Sequence, residues 1–220
     1  MLYALIRRVV AMLARLVFRP EIVGRQHVPT RGPVILASNH LSFVDSVVIP
    51  MVLPRRVAIF AKREYFEGPG LKGRLTRMWF EFLGHIPFDR CTHRPATAAL
   101  DTALAVLAKG EAFAIYPEGT RSRDGRLYRG RTGVGWLALT SRAPVVPVAL
   151  IGTERIQPVG SRRLRVHRIT VRFGVPLDFS AYAEPHSARS RRVVTDEVMR
   201  AIGELSGQEQ AGQYNRRSSG

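Results

Sequence analysis

His40 and Asp45, five residues apart in Asn39-His40-Leu41-Ser42-Phe43-Val44-Asp45, are the side chains best suited to do chemistry in this sequence. The apolar run Pro33-Val34-Ile35-Leu36-Ala37 before them reads as a short buried strand, and the run from Ser46 reads as the start of a helix. Strand-to-helix junctions are where α/β proteins place reactive groups. Along a regular helix two residues five apart do not face each other. They meet only if His40 hangs on the loop and Asp45 sits in the first helical turn, folded back beneath it. The carboxylate would then accept a hydrogen bond from one ring nitrogen, fix the tautomer and leave the other nitrogen as a general base. The same residues also fit a helix cap, with Ser42 as N-cap and Asp45 at the third helical position. One carboxylate can serve both ends.

Positioning such a pair takes a layered fold, and the elements are legible in chain order. Residues 1–19 are apolar but carry Arg7, Arg8, Arg15 and Arg19, too many charges for a spanning helix and in the wrong order for a secretory signal. On a helical wheel Leu2, Leu5, Ile6, Val9, Leu13 and Leu16 oppose the stripe of Arg8, Arg15 and Arg19. This predicts an amphipathic helix at a membrane interface, with packing on its own domain or in a dimer as the alternative. Pro20 ends it. Val57–Ala61 reads as a second strand with Lys62 at its end, Arg74–Leu83 as a helix that either touches lipid or packs into the core, and residues 84–90 as a short strand. Pro95–Lys109 is the clearest helix, with Pro95 near its start and Gly110 in the stop position. Ala112–Tyr116 and Pro144–Ile151 read as buried strands around a helix near residues 133–140. Leu164–Phe173 reads as an edge strand because of its arginines, Ser190–Leu205 as an amphipathic helix, and residues 206–220 as a polar, disordered tail. Strands alternating with helices predict a single α/β layered domain over residues 20–205, with a mixed, largely parallel sheet flanked by helices.

Composition narrows the function classes. At 220 residues, with 45% hydrophobic and 23% charged residues, the chain has the makeup of one globular domain. The formal net charge is +17, and only Lys62, Lys72 and Lys109 among the 34 basic residues are lysine. Such an excess of arginine implies an anionic partner: a membrane surface, a phosphate-bearing substrate or nucleic acid. Against nucleic acid, the arginines lack interleaved stacking aromatics and match none of the usual motifs. The lone Cys91 excludes an intramolecular disulfide and fits a reducing cytoplasm. No zinc-ligand spacing and no nucleophile elbow are present. The sequence sets no oligomeric state.

Four stretches in order, Asn39-His40 with Asp45, Gly84 to Arg90, Tyr116-Pro117-Glu118-Gly119-Thr120-Arg121-Ser122, and Val146-Pro147-Val148, resemble the motifs of the glycerophospholipid acyltransferases. The closest subgroup is the bacterial 1-acyl-glycerol-3-phosphate acyltransferases, and the resemblance runs from about residue 24 to 174. Tyr116 stands where the family usually has phenylalanine, Pro87 where many members carry an aromatic or aliphatic residue, and Tyr65 where leucine often follows. The resemblance implies transfer of an acyl group from acyl-CoA or acyl-carrier protein to the hydroxyl of a lysophospholipid, at the cytoplasmic face of the cell membrane and without a cofactor or metal. His40 would be the base and Asp45 its orienter. Forked guanidinium donors and an ammonium suit an acceptor phosphate, so Arg121, Arg90 and Lys62 are its candidate ligands. Glu118 either bonds an acceptor hydroxyl or pins Arg121, and Gly119 either admits close backbone approach or makes the turn. With Thr120 these complete the predicted binding loop. Val146 and Pro147 either shape the acyl or thioester pocket or punctuate a strand. Acceptors such as glycerol 3-phosphate, lysophosphatidylinositol or a glycolipid, and a catalytically idle lipid-binding module, are the alternatives nearest this reading.

Overall fold

The computed structural model of the protein describes residues 18–88, 95–161, 163–182 and 187–215. Seven strands form one sheet: β1 (Glu21–Val23), β2 (Val34–Ser38), β3 (Val57–Lys62), β4 (His85–Phe88), β5 (Ala112–Ile115), β6 (Val145–Ile151) and β7 (Thr170–Phe173). Their spatial order is β1-β7-β6-β2-β5-β3-β4. The five strands from β6 to β4 are mutually parallel, whereas β7 runs antiparallel to β6 and takes β1 with it. The sheet is thus mixed and mostly parallel. Strands covered on both faces need apolar side chains on both, which is why β2, Val-Ile-Leu-Ala-Ser, is buried at all five positions.

The helices described are α1 (Asp45–Val52), α2 (Gly70–Phe82), α3 (Pro95–Ala108), α4 (Gly133–Ser141), α5 (Thr153–Ile156) and α6 (Ala188–Ser206). Alternation along the strands sends Ile35, Ala37, Phe113 and Val145 to one face, where α3, α4 and α6 close a core through Leu107, Leu137, Val194 and Ile202. Val34, Leu36, Ala114 and Val146 face the other way, under Val48, Ile49 and Val52 of α1. On the first face the backbones of α4 and α6 approach each other closely at Gly135. A Cβ at Gly135 would lie 2.3 Å from the Arg191 carbonyl oxygen, so no larger residue fits there.

Three expectations are corrected. The strand expected over Leu164–Phe173 is regular only over Thr170–Phe173, and it is not an edge: β1, three residues long and too short to register as a pattern, pairs outside it. The tail is not free from residue 206. The Leu127 N–H donates to the Glu209 carbonyl at 2.8 Å, the Ala211 N–H to the Leu127 carbonyl at 2.9 Å, and the Arg129 N–H to the Gln213 carbonyl at 2.9 Å, so the tail pairs with the chain after β5 like an added strand. Pro147, in the middle of a central strand, places its carbonyl toward Gly174 N–H at 2.8 Å, beyond the last β6–β7 pair at Val148 and Phe173. Its missing donor therefore falls where that ladder has already ended. The helix expected over residues 1–19 lies outside the described residues except for Phe18 and Arg19.

Candidate active site

The site is built at the carboxyl ends of the adjacent parallel strands β2 and β5, the edge where open α/β sheets bind ligands. The chain leaves β2 at Ser38 and enters α1 at Asp45, so His40 lies on the connection and Asp45 opens the helix. The His40 Nδ1 lies 2.8 Å from Asp45 Oδ2. That same oxygen accepts the backbone N–H groups of Leu41 at 2.7 Å and Ser42 at 2.8 Å. Asp45 is fully buried, so the three donors hold a carboxylate that water does not solvate. Part of the capping box is present, because the acid reaches back to the Ser42 N–H. The Ser42 hydroxyl instead donates to the Gln157 carbonyl at 2.8 Å and accepts from Val44 N–H at 3.3 Å.

The Tyr116 ring stacks on the imidazole, with centroids 3.8 Å apart and planes 6° from parallel, and its hydroxyl lies 3.2 Å from Ser46 Oγ on α1. Burial and the Asp45 charge push the Tyr116 phenol well above its usual range, so it stays neutral. His40 is therefore pinned by a hydrogen-bonded carboxylate on its edge and a ring on its face. Its side chain is 15% exposed, and among the described residues nothing bonds Nε2.

Glu118 is buried and spans two segments. Its Oε1 accepts the His40 N–H at 3.1 Å and its Oε2 the Tyr128 N–H at 3.0 Å. Burial pushes this carboxyl up to about 7, against the pull of those two donors. The Arg121 partner, one of the two alternatives read from the sequence, gives way to this backbone clamp. Gly119 makes the turn: its φ is +75°, and its N–H donates to the Tyr116 carbonyl at 3.0 Å. Two residues on, the Ser122 N–H donates to the His40 carbonyl at 2.7 Å. Arg121 is thereby seated beside His40, its own carbonyl accepting from Asn215 Nδ2 at 3.2 Å. Its guanidinium has no partner among the described residues. Thr120 is half-buried on the same loop.

Lys62, Val146 and Pro147 are placed apart from this hydrogen-bonded group. Lys62 ends β3, two strands from β2 or about 10 Å along the sheet, exposed and on the face of Ala58 and Phe60 rather than that of Tyr116. Arg90 lies outside the described residues. Val146 and Pro147 are buried inside β6, and Val146 belongs to the core. Among the described residues no group of three or more His, Cys, Asp or Glu side chains clusters as metal ligands would.

Sequence reasoning missed the outer frame. Asn39 is fully buried and acts as a piece of backbone: its Oδ1 accepts from Leu150 N–H at 2.8 Å, and its Nδ2 donates to the Leu150 carbonyl at 2.9 Å and to Gln208 Oε1 at 2.7 Å. Gln208 Nε2 in turn donates to the Gly125 carbonyl at 2.6 Å. Asp124, below the usual carboxylate range because Arg126, Tyr128 and Ser122 all donate to it, ties the turn after Arg121. An asparagine beside a histidine at a strand end was the one available signal.

Comparison with known proteins matches the family described as Acyltransferase to residues 19–151. A 1-acyl-sn-glycerol-3-phosphate acyltransferase of Limnanthes douglasii is 35% identical over 159 residues, which is 72% of this chain and 54% of that one. The protein of that name from Bacillus subtilis (strain 168) is 25% identical over 187 residues, 84% of this chain and 87% of the other. The chain spans about half the length of the plant relatives it matches. The crystal structure of the 1-acyl-sn-glycerophosphate (LPA) acyltransferase PlsC from Thermotoga maritima shares the fold, with a TM-score of 0.68 at 23% identity over 92% of this chain and 79% of that one.

Proposed function

Because the chain belongs to the acyltransferase family, we propose that it moves a fatty acyl group from a thioester, acyl-CoA or acyl-carrier protein, to the free hydroxyl of 1-acyl-glycerol-3-phosphate, giving phosphatidate. The observation that carries the reading is the His40–Asp45 pair, with Nδ1 engaged at 2.8 Å and Nε2 left for a substrate proton, beside a loop carrying Arg121, whose guanidinium has no partner among the described residues. Asp45 fixes the tautomer with the proton on Nδ1. As the acceptor oxygen attacks the thioester carbonyl carbon, Nε2 takes the hydroxyl proton. Collapse of the tetrahedral oxyanion breaks the carbon–sulfur bond, and the imidazolium returns the proton to the departing thiolate. Ester and free thiol are the products, with no covalent enzyme intermediate. Arg121 receives the acceptor phosphate in a charge-assisted fork. The enzyme works at the cytoplasmic face of the cell membrane, a siting supported by the net charge of +17.

The test incubates purified protein in mixed micelles with acyl-CoA or acyl-carrier protein and a panel of acceptors: lysophosphatidate, glycerol 3-phosphate, lysophosphatidylinositol and a glycolipid. Products are identified by mass. Phosphatidate formed in preference to the other products is expected. Turnover confined to another acceptor moves the assignment within the family, and salt-dependent retention on DNA without thioester turnover overturns it.

A further inference from the structure

The helix α2 has two apolar sides, and the protein uses one. Gly73 and Phe80 are its buried residues. Gly73 lies so close to Gly68 that an added Cβ would meet the Gly68 oxygen at 1.8 Å. Phe80 enters an aromatic cluster, stacked on Tyr65 at 4.7 Å and edge-on to Phe43 at 6.3 Å. On the opposite side Leu71 is 73% exposed, Leu75 57%, Met78 56% and Trp79 40%. At helical spacing these four form a stripe roughly 100° wide. Single exposed apolar residues are ordinary, but a continuous stripe along one helix marks a contact surface. The stripe is bordered by cations, Lys72 on one flank and Arg74 and Arg77 on the other. Arg77 pairs with Glu81 at 2.8 Å; Lys72 and Arg74 have no side-chain partner among the described residues.

Phe43 belongs to the loop that carries His40, so the cluster around Phe80 couples the seat of α2 to the mouth of the site. We propose that α2 lies flat on an anionic bilayer, with Leu71, Leu75 and Met78 among the acyl chains, Trp79 at the level of the headgroups, and Lys72 and Arg74 on lipid phosphates. The choice of a lipid surface over a protein partner follows from the flanking cations Lys72 and Arg74, which complement negative headgroups on both sides of Leu71 and Leu75. None of the described helices is long and apolar enough to cross a membrane, so the contact is interfacial. The inference rests on the acyltransferase reading, because an acceptor with a fatty chain resides in the bilayer the helix would touch.

The experiment uses the full chain with Trp136→Phe, which leaves Trp79 as the sole tryptophan. Phosphatidylglycerol–phosphatidylcholine vesicles should shift Trp79 emission to the blue and let shallow lipid quenchers reach it. The variant L71S/L75S/M78S, its fold checked by circular dichroism, should partition about tenfold less onto those vesicles. It should lose turnover of long-chain acceptor in vesicles yet keep that of a short-chain, monomeric lysophosphatidate. Unchanged Trp79 emission, or undiminished partitioning of the triple variant, overturns the proposal. So does a dimeric parent whose triple variant becomes monomeric with vesicle binding intact, which assigns the stripe to a second copy. If the parent turns over no acceptor while Trp79 still inserts, the enzyme reading fails and the docking surface stands.

Discussion

Asp45 and Arg121 lie on two loops that the Ser122–His40 backbone bond joins, and they are held in opposite ways. A single oxygen of Asp45 accepts three hydrogen bonds, from the His40 ring and from the Leu41 and Ser42 backbone, with no exposure to water. Arg121 is fixed only through its backbone, by the Ser122–His40 and Asn215–Arg121 bonds, and its guanidinium has no partner among the described residues. The contrast is what the two proposed tasks require. A general base must hold its tautomer and direction before substrate arrives, because a small misalignment wastes proton transfer. A phosphate ligand has to release its waters to an incoming dianion, and an internal carboxylate partner would compete with that dianion.

Breaking the rigid half should cost the most. His40→Ala removes the base, and kcat with lysophosphatidate should fall about 10²–10⁴-fold with the thermal midpoint little changed; steady-state kinetics and a melting curve check both. On the open half, Arg121→Ala forfeits bonds of roughly 1.5–3 kcal/mol each. The acceptor KM should rise about ten- to a hundredfold, while the KM for the thioester stays within about threefold, read by varying each substrate in turn.

The pH dependence of stability sharpens the comparison, since two buried titratable groups flank the rigid half. Glu118 ionises at about 7 in the folded protein against 4.5 unfolded, so the native state holds its proton more tightly. Stability from this group is therefore greatest at low pH and falls as pH rises from 4.5 to 7, by about 3 kcal/mol at most. His85, buried against Phe80 and lowered to about 4 from 6.5, has the opposite sign. Its contribution is full above 6.5 and is lost as pH falls through 4. Denaturant midpoints between pH 4 and 8 should show Glu118→Gln flattening the decline above pH 5, and His85→Asn flattening the loss toward pH 4. The smallest effect is expected from Gln208→Ala, which removes one support of Asn39: kcat should drop a few-fold with both KM values unchanged, and Gln208→Glu, which keeps the acceptor for Asn39 Nδ2, should recover most of it.

Much of the fold was legible because buried parallel strands are apolar throughout. The runs at Val34–Ala37, Ala112–Ile115 and Val145–Ile151 carry that signal, and helix α3 announces itself through Pro95 and Gly110. The His40–Asp45 pair was legible because both partners lie five residues apart on one strand-to-helix connection. What stayed hidden depends on distance in sequence. The bond from Asn39 to Gln208 joins residues 169 apart, and a polar tail reads as disorder until the strand it pairs with is known. An Arg121 partner for Glu118 was one sequence reading because a carboxylate beside an arginine suggests a pair; burial directs its oxygens to two backbone N–H groups instead.

The central claim is that Asp45 acts through His40 and not beside it. A double-mutant cycle of His40→Ala, Asp45→Asn and the pair together, read as kcat/KM for phosphatidate formation, tests this most directly. If Asp45 serves the imidazole, Asp45→Asn costs at least about tenfold in the intact enzyme and less than about threefold once His40 is gone. Losses that multiply in the double variant would contradict the account.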